Sequence, residues 1–201
     1  MLSDLPILIL AAGQSSRMRG GDKLMEVVEG KPLLRRQIDN ARSATGGGVI
    51  VTLPPAPHPR QKLVQATSAQ IVPVPDAALG MSASLRRGLG AISADAPAAM
   101  ILLADLPELT PADLRRVLAA VNTESSTLIW RGATEDGKPG HPIVFARPLF
   151  TVLQRMQGDD GGQKVVSEHQ DRMTIVRLPG QRARLDLDTP EDWHRWRTGK
   201  L

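Results

Sequence analysis

The sequence predicts an α/β fold of three layers, in which helices cover both faces of a mostly parallel sheet. Short apolar runs recur along the first two thirds of the chain, and such runs are typical of strands buried on both faces. Segments with apolar residues at helical spacing lie between them, and this alternation is typical of right-handed βαβ units. The length of 201 residues favours a single domain, over residues 1–201, with one continuous core.

The first two thirds supply most of the predicted elements. The predicted strands are the apolar runs Ile7–Leu10, Val49–Leu53, Ile71–Val74, Met100–Leu103 and Thr127–Trp130. One predicted helix has a buried stripe made of Leu33, Leu34, Gln37, Ile38 and Ala41, and another has a stripe made of Leu114, Val117, Leu118 and Val121. Thr110 is the expected N-cap of the second helix, with Pro111 in its first turn. The proline-rich residues 54–59 are predicted to form a loop.

The last third mixes helices and strands less regularly. Here we predict a strand at Pro142–Phe145, helices at 147–156 and 162–169, and strands at 173–178 and 183–187. The final helix is predicted to begin after Thr189, the expected N-cap, with Pro190 at its first position.

Composition excludes several classes of protein. The chain has no cysteine, which excludes disulfides and thiolate metal sites. The longest apolar runs, near Leu5–Ala12 and Ala96–Ala104, are shorter than the roughly 20 residues that span a bilayer, so we expect no membrane anchor. Asp4 and no basic residue precede the first run, which does not fit a signal peptide. We therefore expect a cytoplasmic protein.

The formal net charge of +4 raises the possibility of a nucleic-acid partner. The arginines, however, occur as scattered pairs such as Arg35 with Arg36 and Arg86 with Arg87. The absence of tyrosine and the presence of only two phenylalanines leave few rings on which bases stack. No helix-turn-helix or zinc-finger spacing is present. We expect a small, highly anionic substrate and no nucleic acid.

The first predicted strand leads directly into a loop of small residues and cations. The strand ends in Ala11-Ala12-Gly13, where backbone N–H groups can approach a phosphate or a base edge. Arg17 and Lys23 supply two cations suited to a polyphosphate. The spelling matches neither the Walker A motif nor GxGxxG. On these residues alone, a nucleotide-binding loop and a solvated basic loop are comparable alternatives.

Carboxylates follow two later apolar segments. Asp105 comes just after the strand Met100–Leu103, at the carboxyl edge where ligands bind to parallel sheets. Asp186 and Asp188 alternate with leucines, so a strand there would place both on one face. Mg²⁺ prefers one or two carboxylates together with phosphate oxygens and water, and Asp105 with one of these two aspartates would suit it. The alternative is that Asp105 only caps the turn into the next helix.

Several motifs, taken in order, resemble one family. They are LAAGQSSRMRGGDKL at 10–24, GKPL at 30–33, GMSASL at 80–85, LLADLPELT at 102–110, KPGHP at 138–142, GDDGG at 158–162 and LDLDTPEDW at 185–193. The chain resembles the MobA-like nucleotidyltransferases, and within them most closely the molybdenum cofactor cytidylyltransferases. The resemblance covers nearly the whole chain and implies a Rossmann-like fold related to the nucleotide-diphospho-sugar transferases.

The resemblance implies nucleotide-binding roles for specific residues. The family's nucleotide-binding positions correspond here to Leu10, Ala11, Ala12, Gly13, Ser82 and Ser84. Members that transfer cytidylyl groups tend to have LAAG where those that transfer guanylyl groups have LAGG, so Ala12 favours CTP over GTP. Arg17 and Lys23 match the residues that hold the triphosphate.

The resemblance also implies a metal site and an acceptor loop. Asp105 matches the magnesium-binding aspartate, and Asp186 or Asp188 the second acidic position. The loop that faces the acceptor corresponds to Gly140, His141 and Pro142. For His141 we expect an orienting or phosphate-contacting role, because an acceptor phosphate is already ionised near neutral pH and needs no general base.

The function implied is Mg²⁺-dependent transfer of CMP from CTP to the terminal phosphate of molybdopterin, with release of pyrophosphate. Arg17, Lys23 and Asp105 are its expected catalytic residues, and a molybdoenzyme that receives the cofactor is an implied partner. Three alternatives stay open: guanylyl transfer from GTP, transfer to a sugar phosphate or another phosphorylated small molecule, and a non-catalytic protein that binds and delivers the cofactor. The last fits less well, because a pure binder need not keep a metal carboxylate.

Overall fold

The structure, a computed structural model, describes residues 3–158 and 162–200. Residues 159–161 of the GDDGG motif therefore lie outside the described residues. Within the described ranges the strands are β1 (Ile7–Leu10), β2 (Val27–Val28), β3 (Lys31–Pro32), β4 (Val49–Leu53), β5 (Gln70–Pro73), β6 (Ala98–Leu103), β7 (Ile129–Ala133), β8 (Pro139–Ala146) and β9 (Met173–Arg177).

Seven of these strands form the main sheet, in the order β5-β4-β1-β6-β8-β7-β9, while β2 and β3 form a separate hairpin. The central strand β1 pairs in parallel with β4 and with β6. Among the described strands of the main sheet, only β8 is reversed, and it pairs antiparallel with both neighbours, β6 and β7. Because β8 is reversed, its amino end lies at the same sheet edge as the carboxyl ends of the other strands. The predicted mostly parallel sheet is confirmed.

Helices flank this sheet. They are α1 (Leu33–Ala44), α2 (Pro59–Gln65), α3 (Met81–Gly90), α4 (Pro111–Ala119), α5 (Phe150–Gln154), α6 (Gln163–Glu168) and α7 (Pro190–Arg197). Helix α1 contacts both α2 and α4, and α3 contacts α5 separately, so the predicted three-layer αβα fold is confirmed. Among the described residues, no helix is long and apolar enough to cross a membrane.

The apolar patterns place the core where the sequence predicts it. Every member of the predicted α1 stripe is fully buried, including the polar Gln37, whose Nε2 donates to the carbonyl of Leu106 at 2.5 Å. The predicted N-caps are also present, since the Thr110 and Thr189 side chains accept from backbone N–H groups in the first turns of α4 and α7. The bounds predicted for β1 and β4 match the structure.

Helix α3 packs directly against β1 at Gly88. A Cβ atom added at Gly88 would lie 2.5 Å from both methyl carbons of Leu8, a distance that no packed side chain tolerates. The glycine therefore lets the helix approach the central strand. This approach fixes the amino end of α3, which carries Ser82 and Ser84, near the carboxyl end of β1.

Other predictions differ from the structure in instructive ways. The strand predicted at 183–187 is wrong: these residues form turns and irregular backbone, because the N–H groups of Arg184 and Leu185 bond locally to the carbonyl of Gln181. The strand predicted at Thr127–Trp130 begins and ends later, as β7. The loop predicted at 54–59 ends where α2 begins, and neither α2 nor the β2–β3 hairpin was predicted.

Candidate active site

A cavity of about 330 Å³ opens at the carboxyl edge of the sheet. Its walls come from the loop after β1, from the segment leading into α3 and from the end of β6. Of the nucleotide-binding positions predicted from the sequence, it is lined by Leu10, Ala11, Ala12, Gly13 and Ser84. Ser82 is buried in the first turn of α3 and is not part of this lining. The fold thus brings most of the predicted positions together around one cavity.

Backbone donors are free where the first loop meets this cavity. Within the described part of the chain, the N–H groups of Ala12, Gly13 and Gln14 have no hydrogen-bond partner. A Cβ atom added at Gly13 would meet no atom within 4 Å, so the space beside this glycine is open. Free N–H groups beside open space suit a phosphate or a base edge.

Ala12 itself is packed rather than projecting freely. It is 1% exposed and forms a small apolar cluster with Val74 and Ala83. It also lines a second cavity, of about 480 Å³, on the side of Pro54 and Pro55. Ala12 is therefore part of the wall between two adjacent spaces.

Lys23 joins the two acidic segments predicted from the sequence. Its Nζ donates to Oδ2 of Asp105 at 2.6 Å and to Oδ1 of Asp188 at 2.7 Å. The other oxygen of Asp188 pairs with Nη1 of Arg17 at 2.8 Å. The side chains of Lys23, Asp105 and Asp188 are each less than 20% exposed. Four of the predicted site residues hence form one connected charge network.

The network shifts the pKa values of its members. Burial works to lower the pKa of Lys23, but Asp105 and Asp188 outweigh it and the pKa rises above its ordinary value. Burial works to raise the pKa of Asp188, but Lys23 outweighs it and that pKa falls. Asp186 behaves oppositely, because partial burial of its carboxyl and the neighbouring Asp188 raise its pKa. Asp188 is thus the firmly ionised member of the acidic pair.

The residues present suit a divalent metal ion shared with a phosphate ligand. Oδ1 of Asp105 is buried and has no hydrogen-bond partner among the described residues. In the described ranges, no three His, Asp, Glu or Cys side chains lie close enough to hold a metal by themselves. Mg²⁺ needs only one or two protein carboxylates when phosphate oxygens and water complete its coordination, so Asp105 with Asp188 fits it.

Helix α1 fixes the loop that carries Asp105. Its buried Gln37 bonds to the Leu106 carbonyl, and Asn40 Nδ2 donates to the Leu109 carbonyl at 2.9 Å. Arg36 Nη1 donates to the Pro107 carbonyl at 2.6 Å. These three side chains together donate to three backbone carbonyls of one turn. They hold the turn after β6 in place.

His141 lies at the amino end of β8, at the same sheet edge. Its backbone N–H donates to the carbonyl of Ala183 at 2.8 Å, which ties β8 to the segment before Asp186. A Cβ atom at Gly140 would lie 2.1 Å from the same carbonyl oxygen, so this approach requires glycine. Burial and Arg131 lower the pKa of His141 to about 4, with Asp105 opposing them. The imidazole is therefore neutral near pH 7.

Two arginines beside His141 were not singled out in the sequence. Arg131 Nε donates to the Gly140 carbonyl at 3.0 Å, and Arg184 Nη1 donates to the Pro139 carbonyl at 3.4 Å. Burial and Arg184 lower the pKa of Arg131. Neither arginine has a carboxylate partner in the described part of the chain. Their scattered sequence positions gave no signal, because Arg131 reaches Gly140 through the pairing of β7 with β8. Arg184 reaches the same place through the bond from the His141 N–H to the carbonyl of Ala183.

Comparisons with known proteins show which family the chain belongs to. A family model described as the MobA-like NTP transferase domain matches residues 7–173, which extend from β1 to the start of β9. The chain belongs to the MobA-like NTP transferase family. The resemblance of its motifs to this family of nucleotidyltransferase domains is thereby confirmed.

Curated relatives of this family member include two bifunctional GlmU proteins. GlmU of Pseudomonas entomophila is 31% identical over 179 residues, which cover 89% of this chain and 38% of that protein. GlmU of Novosphingobium aromaticivorans is 26% identical over 174 residues, which cover 85% of this chain and 35% of that protein. The chain therefore spans well under half the length of these relatives.

Solved structures share the fold over nearly the whole chain. Rv0371c from Mycobacterium tuberculosis H37Rv is 28% identical, with a TM-score of 0.82 and 98% of each chain covered. Its complex with manganese has a TM-score of 0.78 and covers 95% of this chain and 96% of that one. CMP:2-keto-3-deoxy-manno-octonic acid synthetase, at 14% identity and a TM-score of 0.71 over 96% of this chain and 97% of that one, shows the same fold.

Proposed function

We propose that this chain is one nucleotidyltransferase domain that transfers CMP from CTP to the terminal phosphate of molybdopterin and releases pyrophosphate. The observation that carries the proposal is the position of Lys23. Its ammonium group lies between Asp105 and Asp188, beside the cavity lined by the free N–H groups of the first loop. A cation, a carboxylate with an unbonded oxygen and free backbone donors are together what a metal-bound nucleoside triphosphate requires.

The proposed reaction is an in-line displacement. An oxygen of the acceptor's terminal phosphate attacks the α-phosphorus of CTP, and the bond from that phosphorus to the oxygen bridging it to the β-phosphorus breaks. Pyrophosphate leaves with the bonding electron pair. Such chemistry needs positioning and charge stabilisation rather than a covalent intermediate on the protein. Lys23 and Arg17 offset the charge that grows on the leaving pyrophosphate.

Asp105, with Asp188, would hold Mg²⁺ in this reaction. When bound, the metal supplies Lewis-acid stabilisation of phosphate oxygens. The manganese complex of Rv0371c supports a divalent ion in this fold. In the structure, Lys23 and Arg17 neutralise these carboxylates. When the nucleotide and its metal bind, the two cations would exchange their carboxylate partners for phosphate oxygens.

The choice of CTP rests on Ala12. Its methyl group is packed in the wall between the two cavities, and glycine at this position would widen the space beside the first loop. A larger purine base would then fit more easily. In this proposal the Ala12 methyl group favours the smaller cytosine over a purine base.

For the acceptor we propose the edge formed by Gly140, His141 and Pro142. Arg131 and Arg184 supply positive charge there without carboxylate partners in the described ranges, and an acceptor phosphate would provide the missing anion. The neutral His141 can orient the acceptor by hydrogen bonding but does not add charge near pH 7. A molybdoenzyme that receives the product is the partner that this acceptor implies.

A second candidate is the same transfer to a phosphorylated acceptor other than molybdopterin. The similarity to the GlmU proteins over most of this chain favours it. The nucleotide half of the site serves both candidates equally, because it does not include the acceptor edge.

The test is pyrophosphate release with Mg²⁺ and molybdopterin, with CTP, GTP, ATP and UTP in parallel. We expect CTP-dependent turnover that Asp105→Asn abolishes and that Asp95→Asn, an exposed aspartate at the opposite sheet edge, leaves unchanged. Turnover with GTP alone would contradict the role of Ala12, and an Ala12→Gly variant should then show no change in preference. Turnover only with another phosphorylated acceptor would favour the second candidate. No turnover with any pair, from folded protein, would contradict both.

A further inference from the structure

A buried arginine that was not among the predicted site residues binds the loop after β1, residues 11–22. Arg60 lies in the first turn of α2 and is 1% exposed. An arginine is rarely buried so fully unless all of its donors are satisfied, because an unpaired charge in the interior is costly. The hydrogen-bond partners of Arg60 therefore indicate its role.

All five N–H donors of its guanidinium are used on one loop. Nη1 donates to the carbonyls of Ala11 at 2.6 Å and Gly13 at 2.8 Å. Nη2 donates to Oγ of Ser15 at 3.1 Å and to Oδ1 of Asp22 at 2.7 Å, and Nε donates to the other Asp22 oxygen at 2.7 Å. A planar guanidinium matches a carboxylate with this bidentate geometry, which lysine cannot reproduce.

These bonds tie the two ends of the loop to a single group. Ala11 and Gly13 are at its beginning, and Asp22 is at its end, directly before Lys23. Asp22 Oδ1 also accepts from the N–H of Leu24 at 3.0 Å, which fixes the backbone on the far side of the lysine. Burial works to raise the pKa of Asp22, but its bonds to Arg60 outweigh it and the pKa falls.

We infer that Arg60 is a positioning residue for the nucleoside triphosphate. It holds the carbonyls of Ala11 and Gly13 inward, so the free N–H groups of the same loop stay arranged at the cavity. Through Asp22 it also holds the backbone from which Lys23 reaches Asp105 and Asp188. Its action on the nucleotide rests on the proposed function, whereas its hold on the loop does not.

The test compares Arg60→Lys and Asp22→Asn with a matched control. Arg147→Lys is that control, since Arg147 also binds a backbone carbonyl, that of Ser93 at 3.0 Å, but lies at the opposite edge of the sheet. Three quantities are measured for each variant: the melting temperature, the Kd of CTP with Mg²⁺ at a temperature where the variant is folded, and amide hydrogen exchange of residues 11–23 without nucleotide.

We expect Arg60→Lys to raise the Kd of CTP by about 10- to 100-fold, the factor that loss of a group orienting a metal ligand typically costs. Exchange should rise in residues 11–23 and stay unchanged in β6. Asp22→Asn should change both quantities in the same direction, by less, because its amide keeps one acceptor. Arg147→Lys should alter neither.

Three outcomes would overturn the inference. One is an Arg60→Lys variant with a lower melting temperature and an unchanged Kd of CTP, which would make the role of Arg60 purely structural. If that variant does not fold, unchanged CTP binding in Asp22→Asn has the same meaning. Unchanged exchange in both variants would show that Arg60 does not hold the loop. A wild-type protein that binds no nucleotide overturns the proposed function instead, and the exchange measurement still decides what Arg60 does to the loop.

Discussion

The ammonium group of Lys23 lies 2.6 Å from Oδ2 of Asp105, so the cation expected to hold the triphosphate is paired with the carboxylate expected to hold the metal. Both side chains are less than 20% exposed, and solvent screens such a pair less than it screens surface charges. The site is thereby close to charge balance before any ligand binds. To replace these contacts, the nucleotide must offer negative charge to Lys23 and the metal must offer positive charge to Asp105.

Replacing Lys23 with methionine should lower kcat/KM by about 10²- to 10³-fold, the usual cost of losing one preorganised group that stabilises transition-state charge. Lys23→Arg should retain part of the activity. Lys62→Met, at an exposed position of α2, is the matched control and should behave as the wild type. Pyrophosphate release measures all three, and wild-type turnover by Lys23→Met would contradict a catalytic role.

The two neighbouring aspartates should differ in their effect on the reaction. Asp188 bonds to both Arg17 and Lys23, whereas partial burial of the Asp186 carboxyl and the nearby Asp188 raise the pKa of Asp186. Asp188→Asn should therefore lower kcat more than Asp186→Asn and should raise the Mg²⁺ concentration needed for half-maximal rate. Titration of the rate with Mg²⁺ measures this difference, and equal effects would show that the pair acts as one unit.

His141 should make stability fall at mildly acidic pH. Burial and Arg131 lower its pKa from 6.5 to about 4 in the folded state, so the unfolded chain binds the proton more readily between these values. Stability contributed by the neutral imidazole is complete above pH 6.5 and declines as the pH falls towards 4. Melting temperatures of wild type and His141→Gln, compared across this range, should converge at the acidic end. A constant difference would contradict the assignment.

Two glycines of α3 provide a matched pair for packing. A Cβ at Gly88 would collide with Leu8, whereas one at Gly90 meets no atom within 4 Å. Gly88→Ala should destabilise the protein by about 1–3 kcal/mol through overpacking, while Gly90→Ala should be neutral or stabilising by up to about 1 kcal/mol. Denaturant unfolding measures both free energies. Equal stability of the two variants would show that α3 can shift away from β1 without cost.

The sequence predicted the parallel half of the sheet best, because buried strands such as β1 and β4 are uninterrupted apolar runs. No local sequence pattern gives the order of the strands, which is set by packing. The meeting of Lys23, Asp105 and Asp188 was therefore expected only from the family resemblance. The alternation of leucine and aspartate at 185–188 predicted a strand that is absent. Local hydrogen bonds satisfy the backbone there instead, and the aspartates still reach the site.

Arg60 shows what a linear reading of the site misses. Its neighbours in sequence are prolines and polar residues, which predict a loop and a solvated arginine. Its burial depends on Asp22 and on two carbonyls, which lie 38 to 49 residues away in the chain. Only the adjacent carboxyl ends of β1 and β4 bring those acceptors to it.

Arg131 should affect the acceptor and not the nucleotide. It lies beside Gly140 and His141 with no carboxylate partner in the described part of the chain, and a phosphate of the acceptor would supply the anion. Arg131→Met should raise the KM for the acceptor by about 10- to 100-fold, the factor that corresponds to about 1.5–3 kcal/mol for a hydrogen bond to a charged group. The KM for CTP should stay unchanged. Arg172→Met, an arginine that binds the carbonyl of Ser126 just before β9, is the control. A rise in the KM for CTP alone would move Arg131 from the acceptor edge to the nucleotide, because a residue that touches one substrate changes the binding of that substrate first.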